Sequence, residues 1–228
     1  MRASAAALAV FILAACGGSQ APAVDAGKVL RDGASAMASL KTVSATVKLA
    51  KGSITIQGLT LVSAQTAVRL PADSDTKYTV KEQDVTITIE VIMAGGHVYL
   101  HVPFSPFQEI TGAGAAAFPD MARLFDPTTG LPAVIPAGSS PKYVSTEKVD
   151  GHDSYQVSTS YTPEQVRSLL ATLSSSGPVA AKVWVGVSDH LIRKAVLDGA
   201  FGDAGKEAAV EVDITNFDGT VVITSPSP

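Results

Sequence analysis

The sequence predicts an α+β fold: an open, strongly curved antiparallel sheet wrapped around a few helices. Three observations lead there. From Thr42 onward, apolar and polar residues alternate with a period of two in one segment after another, the signature of strands with one covered face. Those segments are punctuated by short turn signals, among them Lys51-Gly52, Gly95-Gly96, Asp150-Gly151 and Asp218-Gly219, which connect antiparallel neighbours. Helical spacing is confined to a segment after Asp25, a short one in the middle and one after Thr162, too few helices to cover both faces of about ten strands.

At the start of the chain, Arg2 precedes an apolar run over 3–15, and Gly17-Gly18-Ser19 follows. A basic start, a short apolar stretch and small exit residues describe a secretory signal peptide, and the run is shorter than the ~20 residues of a membrane-crossing helix. Its end, Leu13-Ala14-Ala15-Cys16, resembles the lipobox of bacterial lipoproteins. That resemblance implies cleavage before Cys16, a diacylglyceryl group on its thiol, acylation of the new amine and anchorage to the plasma membrane on its extracytoplasmic face. Cys16 is the only cysteine of the sequence, so the exported domain must hold by packing without a disulfide. The expected organisation is a signal peptide over 1–15, a lipidated cysteine and flexible tether over 16–24, and one domain over 25–226.

Within that domain, Asp25 caps a helix to about Leu40, with Val29, Leu30, Ala34, Met37 and Leu40 on one face and Gly33 weakening the interior. Val43, Ala45, Val47 and Leu49 then alternate with Ser44, Thr46 and Lys48, and Ile54 and Ile56 continue after a turn. Parity switches at Leu59 and Leu61, and the neighbouring Gly58 predicts a bulge or bend in the strand. Strands follow over 66–70, 76–81, 84–93 and 98–102, the third with Val85, Ile87, Ile89 and Val91 on one face. Residues 103–138 break the pattern with six prolines. Their apolar side chains, Phe104, Phe107, Phe118, Met121, Leu124 and Phe125 among them, need cover, so the stretch reads as a lid or side wall with a short helix opening at Pro119. After strands over 143–149 and 154–160, Thr162-Pro163-Glu164-Gln165 opens a helix to about Leu173 that buries Val166, Leu169, Leu170 and Leu173. The chain closes with strands over 179–187, 190–197, 208–217 and 221–224.

Composition bounds the function. Hydrophobic residues make up 46% of the chain but aromatics only 6%, so aliphatic side chains must build the core. The formal charge of −4 becomes −5 without Arg2, and no basic block exists. That argues against nucleic acid as a partner and against electrostatic docking on anionic lipid. His97 and His101 lie on one strand ~13 Å apart, too far to share a metal. Ser145-Thr146-Glu147-Lys148 matches a short SxxK pattern but falls in a strand, where the two side chains do not share a helical face. Asp73-Ser74-Asp75 lacks the glycine of a calcium loop, with Tyr78 in its place. Asp189-His190 is a polar turn, and Trp184 on a valine-rich strand is a packing anchor. The sequence offers no catalytic constellation and no cofactor motif.

Four further segments carry a resemblance: Phe125-Asp126-Pro127-Thr128-Thr129-Gly130-Leu131; Thr146-Glu147-Lys148-Val149-Asp150-Gly151; Pro178-Val179-Ala180-Ala181-Lys182-Val183-Trp184-Val185 with Asp189-His190-Leu191; and Asn216-Phe217-Asp218-Gly219-Thr220-Val221-Val222-Ile223. In this order, with the lipobox, they resemble the LppX/LprA/LprF/LprG lipoproteins of mycobacteria and related actinobacteria. The resemblance implies a half-barrel like that of the LolA/LolB carriers. It also implies an apolar cavity between sheet and helices that holds acylated lipids or glycolipids on their way to the outer envelope, and an envelope transporter as handover partner. This chain departs from the pattern with Phe217 before the final turn and with Phe104 and Phe107 after Val102, so the cargo does not carry over. The candidate cavity-lining residues are Val47, Leu49, Ile54, Ile56, Val85, Ile87, Ile89, Val91, Leu169 and Leu170. Taken alone, these residues fit a closed core better, as in an anchored interaction module without cargo; the resemblance favours the open cleft.

Overall fold

The computed structural model describes residues 23–169 and 174–226. The signal peptide, Cys16, most of the tether, Leu170 and Leu173 lie outside them. Twelve strands form one antiparallel sheet: β1 (Thr42–Lys51), β2 (Thr55–Ile56), β3 (Leu59–Arg69), β4 (Asp73–Glu82), β5 (Val85–Ala94), β6 (His97–His101), β7 (Gln108–Ile110), β8 (Ser139–Val149), β9 (His152–Tyr161), β10 (Val179–Gly186), β11 (Ile192–Gly199) and β12 (Ala208–Thr215). The spatial order is β7-β6-β5-β4-β3-β1-β12-β11-β10-β9-β8, with β2 paired to β3 at one end. The first and last long strands therefore meet in the middle, Val47 opposite Val212, and a meander runs outward on each side.

This order explains the proline-rich stretch. β7 and β8 are the two edges of the curved sheet, and the chain between them must cross its open, concave side. It does so in three short helices, α2 (Gly112–Ala116), α3 (Met121–Leu124) and α4 (Leu131–Val134), which bury Phe118, Met121, Phe125 and Ile135. The Phe125–Leu131 segment is a tight corner within that crossing. The Asp126 carboxylate accepts from the backbone N–H and hydroxyl of both Thr128 and Thr129, and a Cβ on Gly130 would meet the carbonyl oxygen of Leu124 at 2.5 Å. These bonds, the Thr128 hydroxyl first, hold the Asp126 carboxyl down at about 2.

Helix α1 (Ala26–Ala38) lies across the other half of the concave side. The Asp25 side chain accepts from Lys28 N–H at 2.9 Å, and Leu30, Ala34 and Met37 are buried against the sheet. Gly33 serves contact here. A Cβ at that position would sit 3.2 Å from Ile192 Cγ1 and Val185 Cγ1, so the glycine lets helix and sheet approach closely. Helix α5 (Pro163–Leu169) opens with a reciprocal capping box: Thr162 N–H donates to Gln165 Oε1 at 2.8 Å, and Gln165 N–H to Thr162 Oγ1 at 3.3 Å.

Several expectations need correction. Residues 59–69 form one strand instead of two; Gly58 belongs to the β2–β3 turn, and the bulge falls between Leu61 and Ser63. The helix expected to open at Pro119 is capped by Asp120 and begins at Met121, because the aspartate side chain supplies the acceptor for Arg123 N–H. Residues 221–224 are not a strand. After β12 the chain turns at Asp218, whose carboxylate accepts from Lys41 N–H, and the tail crosses to β5. There Ile223 is buried against Ile92 and Ala94, and Arg69 donates to its carbonyl oxygen. Phe104, expected to need cover, is fully exposed at the tip of the β6–β7 turn.

Candidate functional site

Between the concave face and the crossing helices lies a cavity of about 400 Å³. Its walls come from residues that point inward by strand parity or helical spacing. The β1–β12 centre supplies Ala45, Val47, Val210, Val212 and Ile214. β10 and β11 supply Val183, Ala195 and Leu197. The helices add Met37, Met121, Leu124, Val134, Val166 and Leu169. Space remains because small side chains, Ala45, Ala64 and Ala195, stand where larger ones would meet the helices.

The cavity is uncharged. Among the described residues no acid, base or histidine borders it. Its two phenols, Tyr78 and Tyr161, are pushed above their ordinary range by burial and stay neutral. Tyr161 Oη donates to the carbonyl oxygen of Ile135 at 3.1 Å, tying β9 to the end of the crossing segment. Tyr78 packs on Phe118 with ring centroids 5.9 Å apart.

The mouth lies where exposed residues border the cavity, at Thr55 and Gln57 in the β2–β3 hairpin. Ala117 and Pro119 after α2 and Phe201 after β11 flank it. Two polar ties hold its rim. Gln57 Nε2 donates to the Gly114 carbonyl oxygen, and the Asp203 carboxylate accepts from Ser53 Oγ at 2.7 Å and from Thr55 N–H at 2.8 Å. The Ser53 bond is the largest of the effects that hold Asp203 below its ordinary value.

Of the residues expected to line the cleft, Val47, Ile54, Ile56 and Leu169 border the cavity. Ile89 and Val91 are buried beside it in the packing around Tyr78 and Phe118, with Ile87 partly covered against them. Leu49 packs near Val179 and Phe201. Val85 is 62% exposed, because β5 runs past the last inner element that could cover it. Leu170 lies outside the described residues. The lining from α1, α3, β11 and β12 was not anticipated, although the inward parity of Ala195, Leu197, Val210, Val212 and Ile214 is visible in the sequence.

The polar residues weighed for chemistry are scattered over the outer face. Ser145 Oγ donates to Gln156, Lys148 pairs with Asp153, and His97 pairs with Glu109. Among the described residues no three His, Cys, Asp or Glu side chains are grouped to hold a metal. Trp184 packs on the outer face, its Nε1 donating to Glu147 and the Lys194 ammonium 5.7 Å from its ring. Asp189 anchors the buried Arg193 at 2.7 Å; burial pushes its carboxyl up, but the guanidinium and Leu191 N–H win and hold it below its ordinary value. Arg193 in turn lies over the Phe217 ring. The segments that carried the resemblance are thus largely architectural.

The family model of the LppX_LprAFG lipoproteins matches residues 25–224. The chain belongs to this family. LprF from Mycobacterium bovis superposes on it with a TM-score of 0.71 at 16% identity, covering 89% of this chain and 97% of that one. The lipoprotein LppX from Mycobacterium tuberculosis gives 0.63 at 15% identity, covering 87% and 97%. In sequence, the chain is 24% identical over 137 residues to the lipoarabinomannan carrier protein LprG of Mycolicibacterium smegmatis. That match spans 60% of this chain and 55% of the relative. These LppX_LprAFG structures share the open curved sheet with few helices. No helix among the described residues is long and apolar enough to cross a membrane.

Proposed function

We propose that this lipoprotein binds an acylated lipid or glycolipid in the cavity and carries it from the plasma membrane toward the outer envelope, anchored through Cys16 on the extracytoplasmic face. The observation that carries the reading is an uncharged apolar cavity of about 400 Å³ inside a chain of this family. An apolar cavity of ~150 Å³ accepts one benzene, so by volume about 400 Å³ has room for roughly sixteen carbon atoms, one acyl chain. Moving such a chain through water costs on the order of 12 kcal/mol at ~0.8 kcal/mol per CH₂. Spontaneous exchange across an aqueous space is correspondingly slow, and a shielded cavity removes most of that barrier without any catalytic group. A relative named as a lipoarabinomannan carrier supports the same direction. An interaction module without cargo would have its core filled, and the cavity speaks against it.

The test is transfer. The processed protein, added to donor vesicles holding a fluorescent acyl lipid, accelerates its appearance in acceptor vesicles. Equal rates with and without protein, for single-chain and multi-chain lipids alike, overturn the reading.

A further inference from the structure

The strand registers place three turns at one end of the sheet. Thr60 pairs with Lys81 and Glu82 with Val85, so the β2–β3 and β4–β5 turns share that end. Glu90 pairs with His101, where β6 ends, and the turn that follows, with Phe104 in it, faces the same end. Gln57 and Phe104 therefore lie in turns that face the same end of the sheet, three strands apart, with the Phe104 turn set back along the strands. At this end stand Phe104, 107% exposed, and Val85, 62% exposed, with Val102 half-exposed beside them.

Phe104 is held there at a cost. Ser105 N–H donates to the Val102 carbonyl oxygen at 3.2 Å, closing a four-residue turn with Pro103 second and Phe104 third. Phe104 has φ +66°, so this is the turn type whose third position favours glycine. A bulky aromatic in that conformation is a genuine outlier, and this one gains no cover from the described residues. Strain plus full exposure at the end of the sheet that holds the cavity mouth points to a contact outside the molecule.

We propose that this corner docks on a lipid bilayer, with Phe104 and Val85 entering its apolar region so that the cavity mouth faces the membrane. The purpose rests on the carrier reading; the geometry does not. The adjoining turn carries Lys81, Glu82 and Asp84, a mixed set with no cationic cluster, so the contact is apolar and does not select anionic lipid. Zwitterionic phosphatidylcholine, which carries no net charge, suffices, and added salt leaves docking unchanged.

The experiment uses the processed protein from a native-like host and phosphatidylcholine vesicles with brominated acyl chains. In Phe104→Trp the new indole is quenched and blue-shifted on adding vesicles, while the buried Trp184 of the parent protein serves as an unresponsive baseline. Unchanged emission overturns the proposal, as does a blue shift that follows protein concentration without vesicles, which marks contact between copies. In Phe104→Asp, loading from vesicles slows about tenfold or more, from the transfer free energy of one phenylalanine side chain, while loading from detergent-dispersed lipid stays unchanged and the thermal midpoint holds or rises, since aspartate tolerates the positive φ. Equal loss from both sources overturns the proposal, since it marks a cargo contact. If the protein takes up lipid from neither source, the carrier reading fails, and Trp quenching still decides the docking.

Discussion

Ala195 offers the most direct way to fill the cavity without touching its mouth. It sits on β11 opposite Val183 and Val212, and all three border the empty space. Ala195→Phe places a benzene-sized ring there and occupies ~150 Å³ of the about 400 Å³, more than a third. A bound chain then loses room for about six carbons, worth roughly 5 kcal/mol at ~0.8 kcal/mol per CH₂, a weakening on the order of a thousandfold. Because the ring enters free space, stability holds or rises. In a closed core the same change would overpack and cost about 1–3 kcal/mol. The assay is a titration with a fluorescent acyl lipid beside thermal unfolding of the same samples. Unchanged affinity together with a lowered unfolding midpoint would refute the cavity argument, because both outcomes require a filled interior.

Three further outcomes concern the scaffold. Ile223→Ala, which removes the tail's anchor against Ile92 and Ala94, lowers unfolding free energy by about 2–4 kcal/mol in urea titration without changing lipid affinity. Gly33→Leu forces α1 away from Val185 and Ile192 and costs about 1–3 kcal/mol, although leucine is the better helix former; an unchanged urea midpoint would contradict the close approach. Asp75 is pushed up to about 6 by burial and then by the neighbouring Glu90, with Lys77 opposing, and its Oδ1 has no hydrogen-bond partner. The folded chain therefore holds a proton that the unfolded chain releases, so stability falls as pH rises from about 4 through about 6. Asp75→Asn raises the thermal midpoint at pH 7.5, and the gain disappears near pH 4.

Much of the fold was legible because strand and helix periods and turn chemistry are local signals. Asp25, Thr162 with Gln165, and the Gly95-Gly96 hairpin act within a few residues, and the structure follows them. What was not legible depended on elements far apart in the chain. The role of residues 103–138 follows from β7 and β8 being opposite edges, which no local pattern states. Ile223 reads as a strand residue because alternation reports that one face is covered, not what covers it. Val85 shares the parity of Ile89 and Val91, but parity cannot tell how far the inner helices reach. The cavity itself was the hardest point. Inward-facing Val47 and Val212 look the same whether the helices close on them or stand off, and the difference lies in small inward-facing residues such as Ala45 and Ala195.

The central claim is that the cavity holds an acylated lipid. Native mass spectrometry of the processed protein purified from its own or a related host tests this most directly. The account predicts a bound species carrying at least one long acyl chain, at about one per protein, absent from Ala195→Phe prepared in the same way. A protein of bare polypeptide and anchor mass, or an adduct that Ala195→Phe retains in full, would contradict it.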